Sequence, residues 1–159
     1  MPGLGRTGPP RLKCKDIRVG RFEPFGTGFK ADFDVRVGPA HSAWDCPVFA
    51  RELRADVERV MGITFDTDGD GRDASGGYRF WFENDELSFH LIVDDPEEGR
   101  PLDRVPAYAV PVSRSERVAT WELAERLYDG LDDLGTYLLI AFERDGMPVA
   151  ANFDIGDDW

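Results

Sequence analysis

The chain has 159 residues, with 19 Lys and Arg against 31 Asp and Glu, a formal charge of −12 at neutral pH. That length suits one domain, and two cysteines exclude a disulfide-rich secreted scaffold. No apolar run reaches the roughly 18–20 residues of a membrane span, and the first residues lack the apolar segment of a signal peptide. A soluble, cytoplasmic domain without membrane association is the expectation.

The charge is unevenly spread. Residues 1–30 carry seven basic groups (Arg6, Arg11, Lys13, Lys15, Arg18, Arg21 and Lys30) against Asp16 and Glu23, a balance of +5. Residues 31–159 hold 12 basic and 29 acidic groups, a balance of −17. Such a field repels nucleic acid, so the folded domain is not expected to bind it directly, and it attracts basic surfaces. Asp outnumbers Glu twenty to eleven. Because Asp is a poor helix former, much of the negative charge is expected on loop rims.

Taken in chain order, residues 1–12 (MPGLGRTGPPRL) combine Gly, Pro and Arg with little to bury, which predicts a flexible basic leader ahead of a single domain over 13–159. Ile17 and Val19 alternate with charged neighbours. Beyond the Phe25-Gly-Thr-Gly turn, Phe29, Ala31, Phe33, Val35 and Val37 alternate with polar residues, so an antiparallel hairpin is predicted. Asp45-Cys46-Pro47 opens a helix whose stripe is Phe49, Leu53, Val57, Val60 and Met61, and Gly62 ends it. A short apolar step, Ile63-Thr-Phe65, precedes the polar loop Asp66–Gly77. Strands follow at Tyr78–Glu83 and Leu87–Val93, joined at Asn84-Asp-Glu86 into a hairpin expected in the middle of the sheet.

The long acidic loop Asp94–Pro106 leads to strand spacing at Tyr108, Val110 and Val112. Ser113-Arg-Ser-Glu116 matches a capping box for a helix with Val118, Trp121, Ala124, Leu127, Tyr128, Leu131 and Leu134 on one face. Strands at Tyr137–Glu143 and Val149–Phe153 close the chain around Asp145-Gly146. The resulting order is β-β-α-β-β-β-β-α-β-β, an α+β domain with a mostly antiparallel sheet and two helices packed on it.

The chemistry-bearing residues give few patterns. Asp66-Thr-Asp68-Gly-Asp70-Gly71 reproduces the first half of a calcium loop, with carboxylates at positions 1, 3 and 5 and Gly at 6. The second half fails, since position 12 is Gly77 and position 8 is Asp73. Two readings stand for Asp66, Asp68 and Asp70: a solvated acidic loop, which the missing half favours, and a weak Ca²⁺ site. Otherwise no cofactor is expected. Cys14, Cys46, His41 and His90 have no zinc spacing, and no nucleophile elbow, phosphate loop or dinucleotide fingerprint is present. A non-enzymatic role is expected. Asp94, Asp95, Glu97, Glu98, Asp129, Asp132, Asp133, Asp157 and Asp158 form candidate binding carboxylates, with Trp159 as an aromatic anchor beside the last pair. Trp44, in the Pro39–Pro47 loop, is either a second anchor or a side chain folded onto the core.

In size, acidity and layout the chain resembles the small acidic immunity proteins that block toxin domains in bacterial polymorphic-toxin systems. The resemblance implies a non-catalytic toxin inhibitor that neutralises a basic protein partner with its carboxylates. The competing expectation is a small-ligand or Ca²⁺-responsive regulatory domain that uses the 66–77 loop. An enzyme with an acid in a cleft between sheet and helices ranks last.

Overall fold

Alternation through Phe33, Val35 and Val37 puts one set of side chains on each face of a strand, and the whole molecule is organised by that division. The computed structural model describes residues 19–26, 32–100, 102–143 and 146–156. The elements are β1 (Gly20–Arg21), β2 (Phe33–Pro39), α1 (Cys46–Met61), β3 (Tyr78–Glu83), β4 (Leu87–Val93), β5 (Ala107–Ser113), α2 (Thr120–Asp133), β6 (Tyr137–Glu143) and β7 (Pro148–Ala151). The basic leader expected at 1–12, together with Cys14, Asp157, Asp158 and Trp159, lies outside the described residues.

The strands form one antiparallel sheet in the order β1-β7-β6-β2-β5-β4-β3, with both helices on one face, so the domain is α+β. Phe33, Val35, Phe89, Leu91, Ala109 and Leu139 point at the helices, which answer with Leu53, Val57, Leu127 and Leu131; all are almost fully buried. Asp45 caps α1 by accepting the Val48 amide at 3.1 Å, and Gly62 ends it at φ 66°, a left-handed backbone that glycine adopts without strain. The two helices touch where Gly130 faces Val60, and a Cβ on Gly130 would overlap the Val60 methyl.

The arrangement departs from the expected one at four points. β1 pairs with β7 rather than with β2, so the first two strands are no hairpin. The β3–β4 hairpin sits at the sheet edge, not in its middle. The expected order has a fourth strand between the helices, for which only the apolar step Ile63–Phe65 is available; it forms none, which leaves seven strands instead of eight among the described residues. Its two apolar side chains plug the core as the chain leaves α1. Finally, α2 starts at Thr120 rather than after Ser113, because the Ser113 hydroxyl is held by the carbonyls of Ser115 and Val118. The carboxylate that reaches back is Glu122, on the Ala119 amide at 2.7 Å.

The opposite face of the sheet is covered only in part. Val105, Ile140 and Ala151 are buried there beneath Phe22, Leu102, Phe153 and Ile155. The turn at 102–105 lies so close over β2 that a Cβ on Gly38 would overlap the Arg104 carbonyl oxygen. No helix among the described residues is long and apolar enough to cross a membrane. The Gly38 contact predicts that Gly38→Ala destabilises the fold by about 1–3 kcal/mol, read as a lower urea midpoint, because the added methyl must displace backbone.

Candidate functional site

The register decides which carboxylates share a neighbourhood. Val93 lies opposite Ala107, Ala107 opposite Val37, Val37 opposite Leu139, and Pro39 opposite Tyr137. The chain leaving β4 and the chain entering β6 from α2 therefore occupy the same end of the sheet. Asp94, Asp95, Glu97 and Glu98 come from the first connection, and Asp132 and Asp133 from the last turn of α2. β4 and β6 are three strand intervals apart, about 15 Å at the usual strand spacing. The sequence-predicted carboxylates thus form a broad acidic end rather than one cluster.

Within that end the carboxylates differ in what holds them. Asp94 takes a two-pronged contact from Arg79, Nη1 to Oδ1 at 2.9 Å and Nη2 to Oδ2 at 3.1 Å. The hydrogen bond to Asp94 pushes the Arg79 guanidinium above its usual range. Asp95 accepts the Trp44 indole N–H at 2.8 Å, while the Trp44 ring packs 5.0 Å from Phe49. Trp44 is accordingly folded against the core. Glu97 pairs with Arg100 one turn away at 3.1 Å, both largely exposed. A shallow hollow of about 270 Å³ lies between Arg36, Asp94, Asp95, Glu97, Asp103 and Tyr108.

On α2, Asp129 is already taken. Arg21 from β1 reaches it and Glu125, with its guanidinium 4.8 Å from the Phe25 ring centre and 5.8 Å from Tyr128. Asp132 accepts the Asn152 amide at 3.0 Å. Glu98 and Asp133 are exposed and have no hydrogen-bond or ion-pair partner among the described residues.

The 66–77 loop has a structural task that the sequence does not announce. It lies along the outer edge of β3 and satisfies the backbone there. The Trp81 amide donates to the Thr67 hydroxyl at 3.0 Å, the Glu83 amide to Asp66 at 3.3 Å, and the Arg79 amide to the Gly71 carbonyl at 2.9 Å. The Asp66 amide in turn donates to the Trp81 carbonyl at 2.8 Å. Arg54 from α1 donates to the carbonyls of Gly69 at 2.8 Å and Thr67 at 3.2 Å, and Asp70 accepts the Arg72 amide at 3.1 Å. Asp68 stays exposed. Among the described residues no group of three His, Cys, Asp or Glu side chains is placed to hold a metal ion.

Cys46 is buried at the start of α1; burial, with Asp95 and Asp94 nearby, pushes its thiol up and away from the nucleophilic thiolate. His41 lies 3.1 Å from the Gly135 carbonyl through Nε2. Tyr137 donates to Asp56 at 2.5 Å, and burial together with that hydrogen bond raises its phenol.

A second feature went unread in the sequence. On the helix-free face Trp81, His90 and Val110 lie side by side across β3, β4 and β5, with Ile92 and Tyr108 in the neighbouring row. Trp81 is 47% exposed, the outermost aromatic of that row. Apolar residues at the wet positions of strands, above all Val110 and Val112, were the available signal. Beside them a groove of about 700 Å³ runs past Asp34. Asp34 is open to solvent at its mouth, yet desolvation by the surrounding side chains pushes its carboxyl up, against Arg36 and with Asp32. No protein family, curated protein or solved structure matches the chain, so geometry alone carries the functional reading.

Two predictions follow from these contacts. Thr67→Val leaves the Trp81 amide without its acceptor and costs about 1–3 kcal/mol, measured by urea denaturation. For Asp34, the raised carboxyl means that the folded state holds the proton more firmly than the unfolded chain, so ionisation costs stability. That cost is complete above the folded pKa and disappears once the pH falls below the unfolded carboxylate value of about 3.9. Asp34→Asn therefore raises the urea midpoint at pH 7, and the gain shrinks on acidification; an equal gain at pH 7 and pH 3 contradicts it.

Proposed function

We propose that the protein is a non-catalytic binding protein whose acidic end neutralises a basic protein partner, in the manner of the immunity proteins it resembles. The observation that carries this reading is the placement of Asp132 and Asp133. They stand in the last turn of α2, where the helix dipole is negative, and that turn holds no basic residue. A carboxylate there costs stability, about 0.3–1 kcal/mol at an exposed site, where Lys or Arg would add to it. Asp133 has no partner among the described residues to offset that cost. Charge kept against the local energetics, at the same end of the sheet as the acidic β4–β5 connection, is what a surface selected for a cationic partner requires.

Support also comes from the manner in which Arg21 is received on α2, between two carboxylates and over two rings. A guanidinium of a partner finds at Glu98 or Asp133 an exposed carboxylate that no described residue occupies. Long-range attraction of this kind accelerates association and weakens with salt.

The test uses the full chain as bait in an extract of its own cells, with retained proteins identified by mass spectrometry at low and high salt. A basic protein retained at low salt and released at high salt is expected. Asp133→Lys is then expected to raise the stability of the bait by about 0.3–1 kcal/mol while weakening capture of that partner. Retention indifferent to salt and to this reversal sinks the reading.

A further inference from the structure

The groove on the helix-free face adjoins the hollow of the acidic end, sharing Arg36 and Leu102 with it, but draws its carboxylates and its apolar walls from other residues. Its walls are Leu102, Val110, Val112 and Phe142, contributed by the 102–105 turn, β5 and β6. A volume of about 700 Å³ falls in the range of small-molecule sites, and one Lys or Arg side chain from a protein partner would leave most of it empty. Apolar walls around few polar groups are the usual composition of such a site.

The polar groups define what it selects. Among the described residues its lining brings three carboxyl-bearing residues, Asp32, Asp34 and Glu143, against one guanidinium, Arg36. Arg36 is drawn to the other side, with its guanidinium 4.8 Å from the Tyr108 ring centre. Asp34 stands in the row of β2 opposite Phe142 and accepts no hydrogen bond from the described residues. A carboxylate with vacant acceptor positions beside apolar walls favours a ligand that supplies both a donor with positive charge and an apolar body.

We propose that this groove binds a small amphipathic cation, an amine or guanidinium on an apolar stem, with the head on Asp34 and the stem along Val110, Val112 and Phe142. Partial desolvation of Asp34 by its neighbours adds to the selection. A bound cation relieves the penalty that desolvation places on this carboxylate, which a neutral or anionic ligand does not. The site stands apart from the partner-binding role of the acidic end, and either can fail without the other.

The experiment uses the intact protein and four probes below their aggregation limits: octylamine, ethylamine, octanol and octanoate. Binding is read by titration calorimetry, and its location by amide chemical-shift changes. Octylamine is expected to bind with shifts confined to β2, β5 and β6. Octanol and ethylamine are expected to bind at least about tenfold more weakly, the loss of one charged hydrogen bond or of the apolar stem, and octanoate not at all. Asp34→Asn, expected to fold more stably than the parent, should lower octylamine affinity about tenfold while leaving octanol unchanged. Glu98→Gln at the acidic end should change neither. Octylamine binding no tighter than ethylamine or octanol, unchanged affinity in Asp34→Asn, or shifts centred on α2 and residues 94–98 would each overturn the proposal.

Discussion

Both helices lie on one face of the sheet, and most of what is distinctive in this molecule follows from that one-sided cover. The helix face becomes a dry core, because Val35, Leu91 and Ala109 meet Leu53, Leu127 and Leu131 without polar interruption. The other face meets no helix among the described residues. It is closed over β6 and β7 by short pieces of chain, the 102–105 turn and the stretch around Phe153 and Ile155. The close seat of that turn on Gly38 is the geometric condition for the closure. What the turn does not reach, over β3, β4 and β5, is left uncovered by the other described residues.

The acidic end has a related origin. Connections at the ends of a sheet need not bury side chains, so aspartate accumulates there without disturbing the core. The ion pairs that do form are mostly exposed, and such pairs contribute little, typically about 0–1 kcal/mol. Arg79 on Asp94 differs through its two-pronged geometry, and it fixes the point where the acidic connection leaves β4. The rest of the negative charge is thus held by position more than by pairing.

Local features were legible in the sequence where their cause is local. Asp45 before Pro47 and Gly62 after Met61 bound α1 as read, and the alternation in Tyr78–Glu83 and Leu87–Val93 gave both strands and their hairpin. Partner choice between distant strands was not legible, because nothing in Gly20–Arg21 records that it will meet Ala150 and Ala151. The α2 start was misplaced since Ser113 carries the same hydroxyl as a cap but turns it to Val118, and the reciprocal carboxylate proved to be Glu122. The carboxylate spacing of Asp66, Asp68 and Asp70 was legible, but the hydrogen bonds that Asp66 and Thr67 accept from the β3 edge were not, because they depend on which strand the loop comes to lie against. The acidic residues at 94–98 and 132–133 stand out by composition, whereas Asp34 is inconspicuous in the regular alternation of β2.

Every ion pair described in this fold is made by arginine: Arg21, Arg54, Arg59, Arg79, Arg100, Arg114 and Arg117. The three lysines of the chain, Lys13, Lys15 and Lys30, all precede residue 31. A guanidinium keeps its proton far into alkali and does not react with acylating reagents at neutral pH. The body from residue 31 onward therefore offers no side-chain amine to acetylation, biotinylation or amine-directed cross-linking. Reagents of that kind mark only the first thirty residues, leaving the sheet, its acidic end and its open face chemically untouched.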